Sequence, residues 1–201
     1  SVMASILKVN TIQDATNSNT ALSIDSSGRI TTPVRPAFRV KNSNTNEWGQ
    51  SHSNTDYDTN YHTPIPIFTD ATTTTELNVG GGTLSFEDHP AGGGGKYLKY
   101  VVPVTGTYIF SMQGSIRLQV SGDYASTGFN VNDASEGGSS TFPTQTINGY
   151  QAYQNDAHMS LAGSAIMDLT TGDFIVPYST SVSEAYVDGN IPIRITGYLL
   201  G

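Results

Sequence analysis

The sequence predicts an all-β fold, an antiparallel sandwich, on three observations. Runs of alternating apolar and polar residues recur roughly every ten to twenty positions, and none has helical period. Hydrophobic residues make up 36% and charged residues 13%, with Ser, Thr, Asn, Gln and 21 Gly filling the gap. That mix lacks the Ala, Leu, Glu, Lys and Arg on which amphipathic helices lean. Finally, turn residues punctuate the chain densely enough to separate many short strands.

Residues 1–33 read as an N-terminal arm and 34–201 as the head domain. Ser1-Val2 ahead of Met3 reads as an expression remnant and is set aside. Ile6, Leu7 and Val9 form a β-prone patch that Thr11-Ile12-Gln13-Asp14 continues. Ala15 to Thr20 is a polar turn cluster. Ala21 to Asp25 alternates, Ser26-Ser27-Gly28 turns, and Arg29-Ile30-Thr31 leaves. The segment has too few apolar residues to fold alone, so it is expected to be ordered by association with other chains. Pro33 and Pro36 mark its end.

The head opens with the alternating strand Ala37-Phe38-Arg39-Val40-Lys41. A polar loop is expected from Asn42 to about Thr63, a length often tied to function. Ile65, Ile67 and Phe68 form an edge segment broken by Pro64 and Pro66. Short strands at Leu77–Val79 and Thr83–Phe86 flank Gly80-Gly81-Gly82, and Gly92 to Gly95 is a turn. Tyr97 to Val104 and Gly106 to Val120 follow as strands. Residues 121–157 read as loop-rich, with a strand at Phe129 and Val131. Strands at Met159–Leu169, Phe174–Tyr178 and Ile191–Leu200 complete the domain.

The formal net charge is -8, which opposes binding to a phosphate backbone, so no nucleic-acid partner is expected. Residues 1–41 hold five basic groups against two acidic ones, and the remainder four against fifteen. A basic arm therefore precedes an acidic body. No apolar run is long enough for a membrane span, and Val2 to Val9 is too short for a signal peptide. With no Cys, disulfides and thiolate chemistry are excluded.

No catalytic constellation stands out, and no enzyme activity or cofactor is expected. The histidines His52, His62, His89 and His158 show no metal-protease spacing. Gly92-Gly93-Gly94-Gly95-Lys96 fails as a phosphate loop, because Tyr97 stands where Ser or Thr must hold the metal and a strand follows. Asn54-x-Asp56-x-Asp58-x-Asn60 alternates oxygen ligands as a calcium loop does, making Asp56 and Asp58 the candidates for a bound cation. Counted from Asp56, however, Tyr61 and Ile67 occupy the positions that need Gly and Glu, which favours a self-capping polar loop. Glu87, Asp88 and His89 read as a solvated turn.

Tyrosine is abundant, with 11 copies. Tyr57, Tyr61, Tyr150 and Tyr153, together with Tyr124 and Tyr186, fall in loop-like contexts. Such rings offer rigid amphipathic contact area for glycans or proteins, or else pack over the sandwich ends and subunit interfaces.

Tyr100-Val101-Val102-Pro103-Val104-Thr105-Gly106-Thr107-Tyr108-Ile109-Phe110 resembles the V-P-x-x-G-x-Y-x-F signature of the complement globular-head family, which shares the jelly roll of tumour necrosis factor. Leu169-Thr170-Thr171-Gly172-Asp173 resembles its L-x-x-G-D turn, and Gly197-Tyr198-Leu199-Leu200 its closing strand. Pro36-Ala37-Phe38 matches the opening strand, while Ile67-Phe68 and the Gly80 triplet fall in order between. The resemblance covers residues 36–201 and departs at the loops 42–63 and 121–157. It implies an antiparallel jelly roll in a homotrimer, with Phe38, Tyr108, Phe110, Ile195 and Tyr198 in the core or at the threefold interface. Tyr108 and Phe110 share one strand face and Ile109 takes the other. Gly172 permits the turn, and Asp173 can bond its own backbone there.

Met3 to Asp14 is similar to the opening of small virion proteins in tailed phages of cyanobacteria. That resemblance implies a non-enzymatic virion-surface protein, a fibre or a capsid decoration, assembled in the bacterial cytoplasm. The arm would attach to capsid, tail or fibre proteins, with Ile6, Leu7, Val9 and Ile12 supplying apolar contact and Lys8, Arg29 and Arg35 charge steering. Its loops would meet a host glycan or protein. The alternatives are a soluble carbohydrate-binding jelly-roll module and a virion depolymerase. The latter would need paired carboxylates, and nothing pairs Asp56, Asp58, Glu87, Asp88 and Asp173.

Overall fold

The structure, a computed structural model, describes residues 9, 11–13, 20–31, 35–42, 62–64, 73–88, 96–118, 124–134, 145–151, 157–181, 185–187 and 193–200. The chain forms two compact units, Ser1–Arg35 and Pro36–Gly201.

The first unit is a three-stranded antiparallel sheet of β1 (Thr11–Gln13), β2 (Thr20–Ile24) and β3 (Ile30–Thr31), in that order. The turn between β2 and β3 explains why so polar a segment takes this form. Asp25 Oδ1 accepts the backbone N–H of Ser27 at 2.9 Å and of Arg29 at 3.0 Å, and Gly28 takes the left-handed conformation at φ 79°. Arg29 Nε donates to Asp25 Oδ2 at 2.6 Å. Arg29 thus belongs to the turn's own ion pair. These bonds hold the Asp25 carboxyl below the usual range, the backbone bond from Arg29 first.

The second unit is the sandwich. It comprises β4 (Ala37–Asn42), β5 (His62–Pro64), β6 (Thr73–Val79), β7 (Thr83–Asp88), β8 (Lys96–Val101), β9 (Gly106–Leu118), β10 (Tyr124–Val131), β11 (Gln145–Gln151), β12 (Ala157–Leu169), β13 (Phe174–Ser181), β14 (Ala185–Val187) and β15 (Arg194–Leu199). One sheet runs β12-β9-β15-β4-β6, with β14 also on β9. The other runs β11-β10-β13-β8-β7, with β5 also on β13. Every pairing is antiparallel. From β8 onward the chain crosses between the sheets at β9, β10, β12, β13 and β14, which makes the fold a jelly roll.

Side chains alternate across each strand, and the inward set builds one core. Tyr108, Phe110 and Met112 on β9 meet Phe38 and Val40 on β4, Ile195 on β15, and Leu98 and Tyr100 on β8. Phe110 lies 5.7 Å from Phe129 of β10 between ring centroids, so aromatic contact ties the two sheets together. A smaller buried cluster of Tyr97, Val176 and Tyr178 lies on the other face of the β8–β13 pair.

The motifs read separately in the sequence are bonded to one another. Val102 N–H donates to the Asp173 carbonyl at 2.8 Å, and Gly172 N–H to the Val102 carbonyl at 2.9 Å. The closing strand joins the opening strand and the Tyr100–Phe110 motif: Leu199 N–H donates to the Pro36 carbonyl at 2.9 Å and Leu200 N–H to the Thr107 carbonyl at 2.8 Å.

Three expectations need correction. Residues 121–157 contain two full strands, β10 and β11, where one short strand and loops were expected. Tyr124 and Tyr150 are therefore strand residues, and Tyr186 lies in β14. The polar run Gln145–Gln151 is strand because β10 pairs along it, and Ile147 packs against the core. Glu87 and Asp88 end β7 and pair with Tyr97 and Lys96 of β8, so they are not a solvated turn. Tyr57, Tyr61 and Tyr153, the candidate ligands Asp56 and Asp58, Ile6 and Leu7, and most of the loop 42–63 lie outside the described residues.

Candidate functional site

The outward face of the β12-β9-β15-β4-β6 sheet departs most from what a solvated surface needs. Register fixes its composition row by row. One row reads Ile166, Ile109, Tyr198, Ala37, Val79 across the five strands. The next reads Ser164, Ser111, Thr196, Arg39, Leu77. A third reads Ala162, Gln113, Arg194, Lys41, Thr74. The face thus grades from apolar through hydroxyl-bearing to cationic along the strands.

In the apolar row Ile166 is 60% exposed and Tyr198 46%, and Leu77 in the adjoining row is 40% exposed. A groove of about 310 Å³ runs between Tyr198 and Leu77 over Gly197. The hydroxyl row is tied down internally: Ser111 and Thr196 share a hydrogen bond at 2.6 Å. At the far end of the face Thr107 Oγ1 donates to Asp168 Oδ1 at 2.6 Å. The β4–β6 register shifts between Arg39 and Val40, leaving Glu76 as the extra residue of a bulge. Its carboxylate meets Arg39 Nε at 2.8 Å.

The residues expected in the core or at the interface divide by face. Phe38, Tyr108, Phe110 and Ile195 point inward and are buried within one chain. Tyr198 points outward. Ile109, expected opposite to Tyr108 and Phe110, does face outward and brings Ile166 and Tyr198 together as its cross-strand neighbours. Ile166, Leu77 and Val79 were legible only as strand residues, because placing them on this face requires the register.

The second sheet carries a separate polar cluster. Glu87 accepts a hydrogen bond from the Tyr97 hydroxyl at 2.7 Å and pairs with Lys99 at 3.0 Å. Burial opposes the charge on Glu87, yet the bonds from Tyr97 and Lys99 outweigh it and hold the carboxyl below its usual range. Burial first, then the Glu87 charge, pushes the Tyr97 hydroxyl well above its ordinary value. Lys99 also sits 4.5 Å over the Phe174 ring. Every member of this cluster is engaged by another, which makes it a surface clasp between β7 and β8. Among the described residues no group of three or more His, Cys, Asp or Glu is placed to hold a metal.

The small N-terminal sheet, taken by itself, exposes three isoleucines: Ile12 at 45%, Ile24 at 37% and Ile30 at 67%. Val9 is half-buried.

No family model matches the chain, and no curated protein matches it. Among solved structures, murine APRIL at pH 5.0 aligns with a TM-score of 0.43 at 11% identity, covering 83% of this chain and 100% of that one. The vertex protein P5 of PRD1 aligns with a TM-score of 0.42 at 11% identity, covering 84% of this chain and 99% of that one. The strand order, rather than either likeness, establishes that this chain is a jelly roll.

Proposed function

We propose that the protein is a non-enzymatic structural protein of a phage virion surface. In this reading it is a homotrimeric jelly roll whose residues 1–33 attach to another virion protein. Its loops serve host adhesion or hold capsomers together. The observation that carries the assembly is the row Ile166, Ile109, Tyr198, Ala37, Val79, an outward apolar stripe across a whole sheet. Singly exposed apolar residues are ordinary on a protein surface, whereas a contiguous stripe marks a contact. Full burial of each large side chain yields ~1.5–3 kcal/mol, and a cyclic trimer realises that gain in three interfaces. Three copies is the number that the family resemblance implies.

The attachment role draws on the N-terminal resemblance and on the exposed Ile12, Ile24 and Ile30. A three-stranded sheet of this size has no second layer of its own in which to bury them. The phage-surface role rests on the resemblance of Met3 to Asp14 alone.

Sedimentation equilibrium of the full chain tests the assembly: a mass three times 21.4 kDa is expected, and Ile166→Asp should give a folded monomer. A parent that is monomeric at micromolar concentration would overturn the reading. For attachment, virions assembled with a chain lacking residues 1–33 should carry none of it. Incorporation at the parental copy number would place the attachment surface on the jelly roll.

A further inference from the structure

The polar end of the same sheet face holds a second feature. A cavity of about 230 Å³ is lined by Arg39, Ser111, Gln113, Arg194 and Thr196. Its chemistry is almost wholly that of a hydrogen-bond donor. Arg39 gives its Nε to Glu76, which fixes the guanidinium and leaves both terminal amino groups to donate elsewhere. Arg194 forms no ion pair among the described residues and stands opposite Gln113 on one side and Lys41 on the other. Ser111 and Thr196 consume one hydroxyl proton in bonding each other, so one remains. The Gln113 amide adds two more donors.

The charge distribution sharpens the point. The whole chain has 9 Lys and Arg against 17 Asp and Glu, yet Arg39, Lys41 and Arg194 lie on the two adjacent strands β4 and β15. One carboxylate, Glu76, is paired with them. A surface that spent its basic residues on solubility would scatter them. Here two planar forks and a line of hydroxyls and amide converge on one concavity, the donor set that a tetrahedral oxyanion requires.

We propose that this cavity, framed by Arg39 and Arg194, is a binding site for a small inorganic oxyanion, phosphate or sulfate. The site deepens the assembly reading and in part rests on it. Copies joined through the apolar row bring their cationic rows toward one another, and like charges removed from water oppose that approach. An oxyanion held between the guanidinium groups supplies the missing negative charge, so occupancy and assembly should reinforce each other.

Isothermal titration of the full-length protein with sodium phosphate, at constant ionic strength in chloride, tests the site, with sedimentation run on the same samples. Saturable binding is expected, weakened at least ten-fold in Arg194→Gln. Arg194→Lys should fall between, because it keeps the charge and loses the fork. Lys96→Gln, on the other sheet, should bind as the parent does. Both Arg194 and Lys96 carry exposed or half-exposed side chains, and near-ultraviolet circular dichroism verifies the fold of each variant. A trimer that binds no phosphate overturns the site and leaves the assembly standing. A monomer that binds phosphate through Arg194 upholds the site and overturns the assembly. Binding unchanged in Arg194→Gln overturns the site in either state.

Discussion

Gly197 of β15 faces Phe38 of β4 across the ladder, and the Phe38 ring fills the space that a side chain on Gly197 would need. Phe110 does the same from β9, so two aromatic rings close over one glycine. A Cβ at position 197 would lie 2.5 Å from Phe38 Cε1 and 2.6 Å from the Phe110 ring. Gly197→Ala should therefore destabilise the jelly roll by about 1–3 kcal/mol, through displacement of core rings rather than through backbone strain. Urea unfolding measures this, and an unchanged midpoint would show that the rings move freely.

The turn from β12 to β13 depends on a single carboxylate. Asp173 accepts the Asn132 side-chain amide at 2.7 Å and the Thr170 backbone N–H at 2.7 Å, while Asn132 Oδ1 accepts the Phe174 N–H at 2.9 Å. These bonds, that from Asn132 first, hold the Asp173 carboxyl below its ordinary value. A depressed pKa means that the stabilisation is present above the ordinary carboxylate range and is lost as pH falls through the folded value. Solvent screens this exposed site, so Asp173→Ala should cost about 1 kcal/mol at pH 7. The same substitution should cost less at pH 2 than at pH 7. Equal losses at both pH values would assign the effect to shape alone.

Three tyrosines make the fold sensitive to alkali. Tyr100 is buried to 1% exposure and its hydroxyl has no hydrogen-bond partner among the described residues. Burial first, then the neighbouring Tyr108, pushes it up to about 12. Tyr108, which donates to the Val104 carbonyl at 2.8 Å, is raised by burial, and Tyr97 is raised by burial and Glu87. An unfolded tyrosine ionises near pH ~10. Between that value and about 12 the unfolded chain gives up a proton that folded Tyr100 keeps, so stability must fall as pH rises. Absorbance at the phenolate band should show part of the tyrosine titrating only with unfolding. Tyr100→Phe should shift the alkaline midpoint upward and cost little at neutral pH, since it removes an unpaired hydroxyl. A smooth reversible titration of every tyrosine, with no loss of structure, would contradict the burial.

The parts legible in the sequence were those with strong local chemistry. Phe38 to Lys41 and Tyr108 to Phe110 alternate cleanly, and the turn at Gly172 and Asp173 follows from φ 94° at the glycine and the short carboxylate beside it. The strand β11 was not legible, because Gln145–Gln151 is mostly polar, without the apolar alternation that marks a strand, and owes its form to β10. The candidate face was half legible. Ile109 could be assigned outward from its neighbours alone. Its meeting with Ile166 and Tyr198, and that of Arg39 with Arg194, depend on a register between strands 57 to 155 positions apart, which no local pattern encodes.

The two aromatic faces of one sheet should respond differently to the same truncation. Phe110 is fully buried and touches Phe38, Tyr100, Tyr108 and Phe129. Phe110→Ala should lose about 3–5 kcal/mol, enough to threaten folding of each chain. Tyr198 lies on the outward side, and nearly half of it is exposed in the single chain. Tyr198→Ala should leave the intrinsic stability of one chain within about 0.5 kcal/mol and act on association, since exposed substitutions away from special features are mild. In the proposed trimer the loss recurs at each interface, so the concentration of half-assembly should rise by at least ten-fold while near-ultraviolet circular dichroism of the Phe110 region stays put. Sedimentation across a dilution series reads the first quantity and urea unfolding of the dissociated chain the second. A Tyr198→Ala chain that assembles at the parental concentration would remove that ring from the interface. One that unfolds like Phe110→Ala would show instead that the outward row supports the fold of the single chain.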